Sequence, residues 1–228
     1  MKTKQRAIIS LGGSLMIPDA IDTAFIQRFI VEITALSRTH NIVVFCGGGR
    51  TARNYQHALS AFSSISDEAK DWVGIQSSIL NATLLSKALG DMTDGKIITD
   101  PRIKLSWRKS VYVGAGWKPG RSTDYDAVRL AVENNIAVVV NLSNVEYVYS
   151  ADPRTNLSAQ KFEHMTWTEL RKVVGTRWSP GMNTPFDPIA AGIAQKAGIS
   201  VKFLHGKYLS ELPKALAGKT FHGTDIRP

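Results

Sequence analysis

The sequence predicts an α/β fold with a largely parallel central sheet and helices on both of its faces. Short apolar runs alternate along the chain with longer segments whose apolar residues recur at helical spacing, and this alternation is typical of parallel sheets. The runs at 42–45 and 136–140 have no polar alternation, which indicates strands buried on both faces. A chain of 228 residues is long enough for one substantial core and short for two, so we expect a single domain over residues 1–228.

Each expected element has a local reason. In residues 22–40 apolar side chains recur every three or four positions, and Asp22 is placed as the cap. In residues 67–89 a second apolar stripe runs from Trp72 to Ala82 at the same spacing. The expected strands are 7–11, 42–46, 96–99, 111–113, 136–142 and 200–204, the expected helices are 22–40, 67–89, 124–134 and 187–197, and the expected active-site loops or lids are 114–122, 151–160 and 175–185.

The composition excludes several classes of protein. With 43% hydrophobic and 21% charged residues, the chain is neither disordered nor fibrous. Cys46 is the lone cysteine, which excludes an internal disulfide framework and a cysteine-rich zinc site. No apolar stretch approaches the ~18 residues that span a bilayer. The first apolar run breaks at Ser10, too early for an export signal, so we expect a cytoplasmic protein without a membrane partner.

The formal net charge of +9 favours anionic partners. Nucleic acid, anionic lipid and phosphorylated small molecules all fit a chain this basic, and so does a generally solvated basic surface without a specific partner. The basic residues are spread along the chain and form no run of the kind found in nucleic-acid-binding tails, so we do not expect a nucleic acid partner.

Two glycine clusters follow the first two expected strands, where ligands bind in such folds. The segment 12–14 reads Gly-Gly-Ser, and 47–49 are three consecutive glycines. Glycine lets backbone N–H groups approach an anion, and a helix N-terminus adds free donors. A tight strand–helix turn would account for one or two of these glycines. Arg53 lies one turn into the next helix, within reach of a phosphate, although a solvated surface arginine would read the same.

The known nucleotide-binding fingerprints are missing. No GxGxxG follows the first strand, which disfavours a dinucleotide-binding site, and no GxxxxGK[ST] occurs, which excludes a P-loop enzyme. Instead, residues 114–124 combine glycines, Lys118, Arg121, two hydroxyls and the carboxylate of Asp124. A helix cap explains the hydroxyls but not the glycines and cations, so we interpret the segment as a phosphate-binding loop that ends in an acid. Asp187, before a proline, is either a plain helix N-cap or a functional acid.

Six strings of residues carry a resemblance to a known family: LGGS, GGGRTAR, KDWVGIQ, GWKPGRSTDYDAV, NLSNVEYVYSADPRT and FDPIAA. In this order, over nearly the whole chain, they resemble the amino acid kinase superfamily, and within it the uridylate (UMP) kinases of the archaeal type. The resemblance implies a three-layer α/β/α sandwich and transfer of the γ-phosphoryl group of Mg–ATP to UMP, giving UDP for pyrimidine nucleotide synthesis. It also implies Mg²⁺ as the cofactor and a cytoplasmic homohexamer.

The resemblance also implies roles for individual residues. On the donor side, the residues that it implies bind ATP are Gly12, Gly13, Ser14, Gly49, Arg53, Ser143, Asn144, Tyr149 and Asp152. On the acceptor side, the residues that it implies bind UMP are Gly48, Asp71, Ala115, Gly116, Trp117, Lys118, Pro119, Gly120, Arg121, Ser122 and Thr123. Asp71 would hold the ribose hydroxyls. Asp124 and Asp187 match acids that orient the site and its metal-bound phosphates, and no side chain is assigned as a metal ligand.

The chain departs from this pattern at three places. Ser10 stands where the superfamily often has a lysine, and Gly192 stands where the archaeal-type enzymes commonly have one. Glu146 and Tyr147 replace the usual Asp-Gly, which removes a glycine from the turn beside the donor pocket. Loss of one charge-stabilising donor can lower the rate ~100- to 1000-fold. The cations that could substitute are Arg53, Lys118, Arg121 and Lys196, and the first three join Asp124 and Asp187 as candidate catalytic residues.

Three readings of the function therefore stay open. The first is an active UMP kinase. The second is a catalytically weak or silent nucleotide-binding protein of the same fold, a sensor or storage module, which the two absent lysines support. The third is a kinase of another small phosphate or carboxylate acceptor, against which Asp71 stands because it fits a ribose. Whether Trp117 stacks on a base or packs within the protein is also open.

Overall fold

A computed structural model describes residues 4–177 and 184–228 of the chain. Its ten strands within these ranges are β1 (Gln5–Leu11), β2 (His40–Cys46), β3 (Ile97–Ile98), β4 (Val111–Gly114), β5 (Val138–Ser143), β6 (Val148–Tyr149), β7 (Lys161–Phe162), β8 (His164–Thr166), β9 (Ser200–His205) and β10 (Thr224–Arg227). The helices are α1 (Gly13–Met16), α2 (Thr23–Leu36), α3 (Gly49–Leu59), α4 (Asp67–Leu89), α5 (Thr123–Glu133), α6 (Trp167–Val174), α7 (Pro188–Ala197) and α8 (Leu212–Leu216), with 3₁₀ turns at Gly90–Met92 and Gly206–Glu211.

Eight of the described strands form one sheet, in the spatial order β3-β4-β2-β1-β5-β9-β10-β8, and β6 pairs with β7 in a separate ribbon. The pairs on either side of β1 are parallel, and so are those of β2 with β4 and of β5 with β9. The C-terminal strand β10 runs antiparallel to β9, so the sheet is largely and not wholly parallel. The carboxyl ends of β1, β2, β4, β5 and β9 consequently meet at one edge.

Apolar side chains of the sheet pack into two separate cores, one on each face. Alternate residues of β1 point to opposite faces, so Ile8 lies in the core beneath α5, α6 and α7, whereas Ile9 and Leu11 lie in the core beneath α2, α4 and α8. The structure therefore confirms the three-layer α/β/α sandwich.

Side-chain caps set the beginnings of the longer helices. The Asp22 carboxylate accepts a hydrogen bond from the Phe25 backbone N at 2.8 Å, as expected. Helix α2 ends at Leu36, short of the expected 40, because His40 already belongs to β2. Thr166 and Glu169 form a capping box that begins α6. This helix was not predicted, although a threonine followed three residues later by glutamate is the usual sequence signal of a capping box.

One further expectation changes. The prediction that Trp72 belongs to the buried stripe of α4 was wrong, since this side chain is 45% exposed. The helix is apolar on several sides, and the face that it buries contains Ile75, Ala82 and Leu85. The expected loop 151–160 contains no helix or strand. Of the expected loop 175–185, residues 178–183 lie outside the described ranges. None of the helices described has both the length and the apolar character needed to cross a membrane.

Candidate active site

A cavity of about 560 Å³ opens at the carboxyl edge of the sheet, between the turns after β1 and β2, the helices α3 and α4, and the segment before α5. Parallel strands bring these turns together because their carboxyl ends share one edge. Four of the residues expected to bind the donor line it: Ser14, Gly49, Arg53 and Asn144. Six of the residues expected to bind the acceptor line it as well: Gly48, Asp71, Gly116, Arg121, Ser122 and Thr123.

The other expected site residues are not among those that line this cavity. On the donor side these are Gly12, Gly13, Ser143, Tyr149 and Asp152. On the acceptor side they are Ala115, Trp117, Lys118, Pro119 and Gly120, and the two expected acids, Asp124 and Asp187, do not line it either, although Asp187 bonds the lining residue Ser122. The Asp152 carboxylate pairs with Arg154 at 2.7 Å, and Arg154 itself reaches the cavity.

The two glycine clusters pack against each other, backbone to backbone. A Cβ on Gly13 would lie 2.6 Å from the carbonyl carbon of Gly47 and would overlap the backbone nitrogen of Gly49. Gly49 has φ +63°, a left-handed conformation that L side chains rarely adopt. Close contact between the two turns is thus sufficient to require glycine at Gly13 and Gly49. This reason is distinct from the tight strand–helix turn that the sequence suggested.

Helix α4 holds the acceptor-side loop in place through two hydrogen bonds. The Gly120 backbone N donates to the Asp71 carboxylate at 2.6 Å, and the Gly116 backbone N donates to the Ser78 hydroxyl at 2.9 Å. Asp71 therefore sits in the cavity wall and is simultaneously an anchor for the loop.

Positive charge dominates the cavity wall. Of the charged side chains described there, four are arginines and one, Asp71, is a carboxylate. Arg50 and Arg154 are neutralised by ion pairs with Asp19 and Asp152. Arg53 instead donates to the Ser14 hydroxyl at 3.2 Å, a neutral partner. The wall thus retains positive charge that can bind anions such as phosphates.

Arg121 is the second cation of this wall that is held by neutral groups. Its Nη1 donates to the Gly120 carbonyl at 2.6 Å, and its guanidinium lies 4.8 Å from the centre of the Tyr125 ring. Its Nε is buried and, among the described residues, has no hydrogen-bond partner. A buried donor of this kind is costly to leave unsatisfied, so this conformation of Arg121 is under strain that a rearrangement of the side chain would relieve.

The neighbouring cation of the loop is placed differently. Lys118 Nζ lies 4.0 Å from the centre of the Trp117 ring, and Arg102 lies 4.7 Å from the same ring. The Trp117 ring stacks in turn on Tyr125, with 6.4 Å between ring centres. The Trp117 ring is therefore packed between these side chains, and its assignment to the UMP base stays a prediction.

Two acids meet where the N-termini of α5 and α7 approach each other. Asp187 caps α7 by accepting from the backbone N of Ile189 and Ala190, and its other oxygen accepts from the Ser122 hydroxyl at 2.5 Å. Asp124 accepts from the Ser10 hydroxyl at 2.6 Å. Burial, together with the nearby Asp187 carboxylate, raises the pKa of Asp124 to about 6.

The two positions without the expected lysine differ. Ser10 is buried and its hydroxyl is engaged by Asp124. A Cβ on Gly192 would meet no atom within 4 Å, so α7 has open space there. Gln56 and Arg154 line the cavity without having been predicted as site residues, and neither was Asn141, which donates to Asp124 at 2.8 Å. Asn141 could have been found as the polar residue within an apolar strand.

Comparisons with known proteins agree with this geometry. The model of the amino acid kinase family matches residues 5–205. A uridylate kinase from Pyrococcus abyssi is 34% identical over 98% of this chain and 100% of its own length, and one from Methanospirillum hungatei is 36% identical over 95% and 92%. The crystal structure of uridylate kinase from Archaeoglobus fulgidus superposes with a TM-score of 0.83 at 31% identity, covering 96% of this chain and 99% of that one. The UMP kinase of Ureaplasma parvum, at 20% identity and a TM-score of 0.78, shares the fold. The chain belongs to the amino acid kinase family.

Proposed function

We propose that the protein is a UMP kinase, which transfers the γ-phosphoryl group of ATP to the phosphate of UMP and releases UDP and ADP. The observation that carries this proposal is the convergence of both glycine turns, Asp71 and the loop 115–123 on one positively charged cavity. Relatives named uridylate kinase, at 34% and 36% identity over nearly the full length, support UMP as the acceptor substrate.

The acceptor would lie on the α4 side of the cavity. There Gly48, Asp71 and the loop from Ala115 to Thr123 surround the space beside Ser78. We propose that the UMP ribose hydroxyls donate to Asp71, whose carboxylate already anchors the loop through the Gly120 amide. A bound ribose would thereby tighten the same loop that surrounds the phosphate.

The donor would enter from the side of β1 and β5. Ser14, Gly49, Arg53 and Asn144 would contact its phosphates within the cavity. Gly12, Gly13, Ser143, Tyr149 and Asp152 do not line the cavity, and we propose that they shape the turns and the nucleoside end of the donor pocket.

Transfer between two phosphates needs alignment and neutralisation of the charge that spreads over the transferring group. We propose that Arg53 and Arg121 supply the cations in place of the absent lysines, because both line the cavity and both are held by neutral partners. Lys118 sits on the Trp117 ring, outside the cavity wall, and we assign it no direct role in the transfer.

Mg²⁺ would arrive as part of the donor substrate. Within the described ranges no group of three or more His, Cys, Asp or Glu side chains could hold a metal ion. The oxygens of Asp187 accept hydrogen bonds from Ser122 and from α7, so they are already engaged. Mg²⁺ in kinases is commonly held by substrate phosphates and water with one or two carboxylates, and there it neutralises charge on the phosphates.

The direct test is UDP formation from UMP and Mg–ATP, with CMP, AMP and no acceptor as parallel reactions. Turnover on UMP alone is the expected result, and turnover on a different acceptor would overturn the assignment. Arg121→Ala and Lys118→Ala are a matched pair from one loop. We expect kcat to fall about 100- to 1000-fold for Arg121→Ala, the loss typical of one charge-stabilising group, and to change little for Lys118→Ala.

A second candidate function rests on the positions without lysine. With Ser10 bonded to Asp124 and no side chain at Gly192, neither position supplies a cation. A nucleotide-binding protein without turnover would bind UMP and ATP in calorimetry and form no UDP, so the same samples separate the two candidates.

Assembly and location are also proposals. We propose one domain over residues 1–228, a homohexamer and a cytoplasmic location. The assembly is supported by α4, where Trp72, Leu80 and Leu84 are 45%, 63% and 37% exposed and follow one another along one face. An apolar helix face exposed to water is typical of a protein–protein interface.

A further inference from the structure

Two buried polar side chains stand side by side in the centre of the sheet. Ser10 on β1 is the direct partner of Asn141 on β5 in the parallel register. They are 2% and 6% exposed, and their neighbours on the same sheet face, Ile8 and Val139, are fully buried and apolar. Polar groups in such a place destabilise the fold unless they form hydrogen bonds, so this pair requires a reason.

Both side chains donate to one and the same atom. The Ser10 hydroxyl lies 2.6 Å and the Asn141 Nδ2 lies 2.8 Å from Oδ1 of Asp124. Asp124 is in the first turn of α5, two residues after the helix cap Ser122, whose hydroxyl donates to Asp187. Two donors that converge on Oδ1 from two strands restrict the orientation of the Asp124 carboxylate, and hydrogen bonds to a charged acceptor are the stronger kind.

We propose that Ser10 and Asn141 are positioning residues, which hold the Asp124 carboxylate in its working orientation for phosphoryl transfer. This inference rests on the proposed kinase function. The two donors are neutral, so they orient the carboxylate without neutralising its charge, and positive charge at the site has to come from the cavity arginines and from Mg–ATP. The oriented acid and the charge-neutralising cations are thus supplied by different parts of the fold.

The test is a set of variants measured for turnover on UMP and Mg–ATP: Ser10→Ala, Ser10→Thr, Asn141→Leu and Asp124→Asn. Ser10→Ala and Asn141→Leu should each lower kcat about 10- to 100-fold, the effect of one hydrogen bond to a charged group, with little change in KM. Ser10→Thr keeps the hydroxyl and should recover most of the rate. In the Asp124→Asn background, Ser10→Ala should lower kcat little further, because the carboxylate that Ser10 positions is already replaced.

The pH profile gives a readout that a purely structural role would not move. The titratable groups nearest to Asp124 are Asp187 on α7 and Asp126 on α5 itself, and both remain in every variant. Hydrogen bonds from Ser10 and Asn141 favour the charged form of Asp124 and lower its pKa. Ser10→Ala should therefore move the acid limb of kcat to higher pH. Ser86→Ala removes a buried hydroxyl of α4, bonded to Thr93 at 3.2 Å, and should leave the profile unchanged.

Three results would overturn the proposal: unchanged kcat in Ser10→Ala and Asn141→Leu, additive losses in the Asp124→Asn background, or a Ser10→Thr variant no better than Ser10→Ala. Wild-type turnover on UMP separates this outcome from failure of the proposed function. If the wild type is inactive, a thermal-unfolding cycle over Ser10→Ala and Asp124→Asn, which needs no substrate, still decides the coupling. Additive changes in that cycle would contradict it.

Discussion

Replacing Asp124 by asparagine should stabilise the protein, and only at neutral or alkaline pH. Asp124 has a pKa of about 6 in the fold, raised by burial and by the Asp187 carboxylate, against an ordinary value of 3.8. Between these two values the folded chain binds more protons than the unfolded chain, so stability falls as pH rises through the window. Above pH 6 the charged Asp124 carries its full destabilising effect. Asparagine stays neutral throughout and avoids it.

The magnitude follows from the gap of about two pKa units. Each unit corresponds to about 1.4 kcal/mol, so the gap sets a ceiling of about 3 kcal/mol. Because Asp124 is only partly buried and water screens its charge, we expect about 1–2 kcal/mol. For a chain of this size that is a rise in Tm of roughly 2–8 °C.

The assay is thermal unfolding of the wild type and Asp124→Asn at pH 4 and pH 8. The variant should be the more stable protein at pH 8, and the difference should nearly vanish at pH 4. Asp100→Asn is the control of opposite sign, because the side chain of Arg102 lowers the pKa of Asp100 to about 2 and the carboxylate is the favoured form. A variant that is less stable at pH 8, or equally shifted at both pH values, would refute the reasoning.

Three further predictions follow from single positions. Gly192→Ala should raise the free energy of unfolding by about 0.5–1 kcal/mol, because an added Cβ meets no atom within 4 Å and glycine is a poor helix former. Chemical denaturation measures this change. A lower free energy of unfolding for the variant would contradict the open space at this position. Asp71→Asn should raise KM for UMP about tenfold or more with a smaller effect on KM for ATP, in steady-state kinetics; equal effects on both substrates would remove Asp71 from the acceptor side. Leu80 is 63% exposed on α4, and Leu80→Glu should lower the mass of the assembly in sedimentation without lowering Tm of the subunit. The control Arg28→Glu on α2 should leave the mass of the assembly unchanged. An unaltered mass for Leu80→Glu would place the interface elsewhere.

Local patterns were sufficient for the central sheet and its main helices. The apolar runs became β1, β2, β4, β5 and β9, because a strand buried on both faces needs apolar residues at every position. The two-residue strand β3 was also predicted, from the run 96–99, whereas β6, β7, β8 and β10 were not, because no continuous apolar run marks them in the sequence. Strand β10, for example, exists because it pairs with both β9 and β8.

The order of loops after the strands also predicted where a ligand would bind. Ser14, Gly49, Asp71 and Arg121 lie far apart in the sequence, and four of the expected segments nevertheless meet in one cavity wall. The sequence could not separate Arg121 from Lys118, because both are cations of one glycine-rich loop. Only the packing shows that Arg121 faces the cavity and that Lys118 covers Trp117.

By itself, then, the sequence determined the α/β class, the family resemblance and the edge of the sheet at which the site lies, because these depend on residue types and their spacing along the chain. The tertiary structure decided which side chains meet. The pairing of Ser10 with Asn141 above Asp124 comes from strand register, and the need for glycine at Gly13 comes from contact with the turn after β2. Register and contact between distant segments depend on the packed arrangement of the whole sheet, which no local pattern encodes.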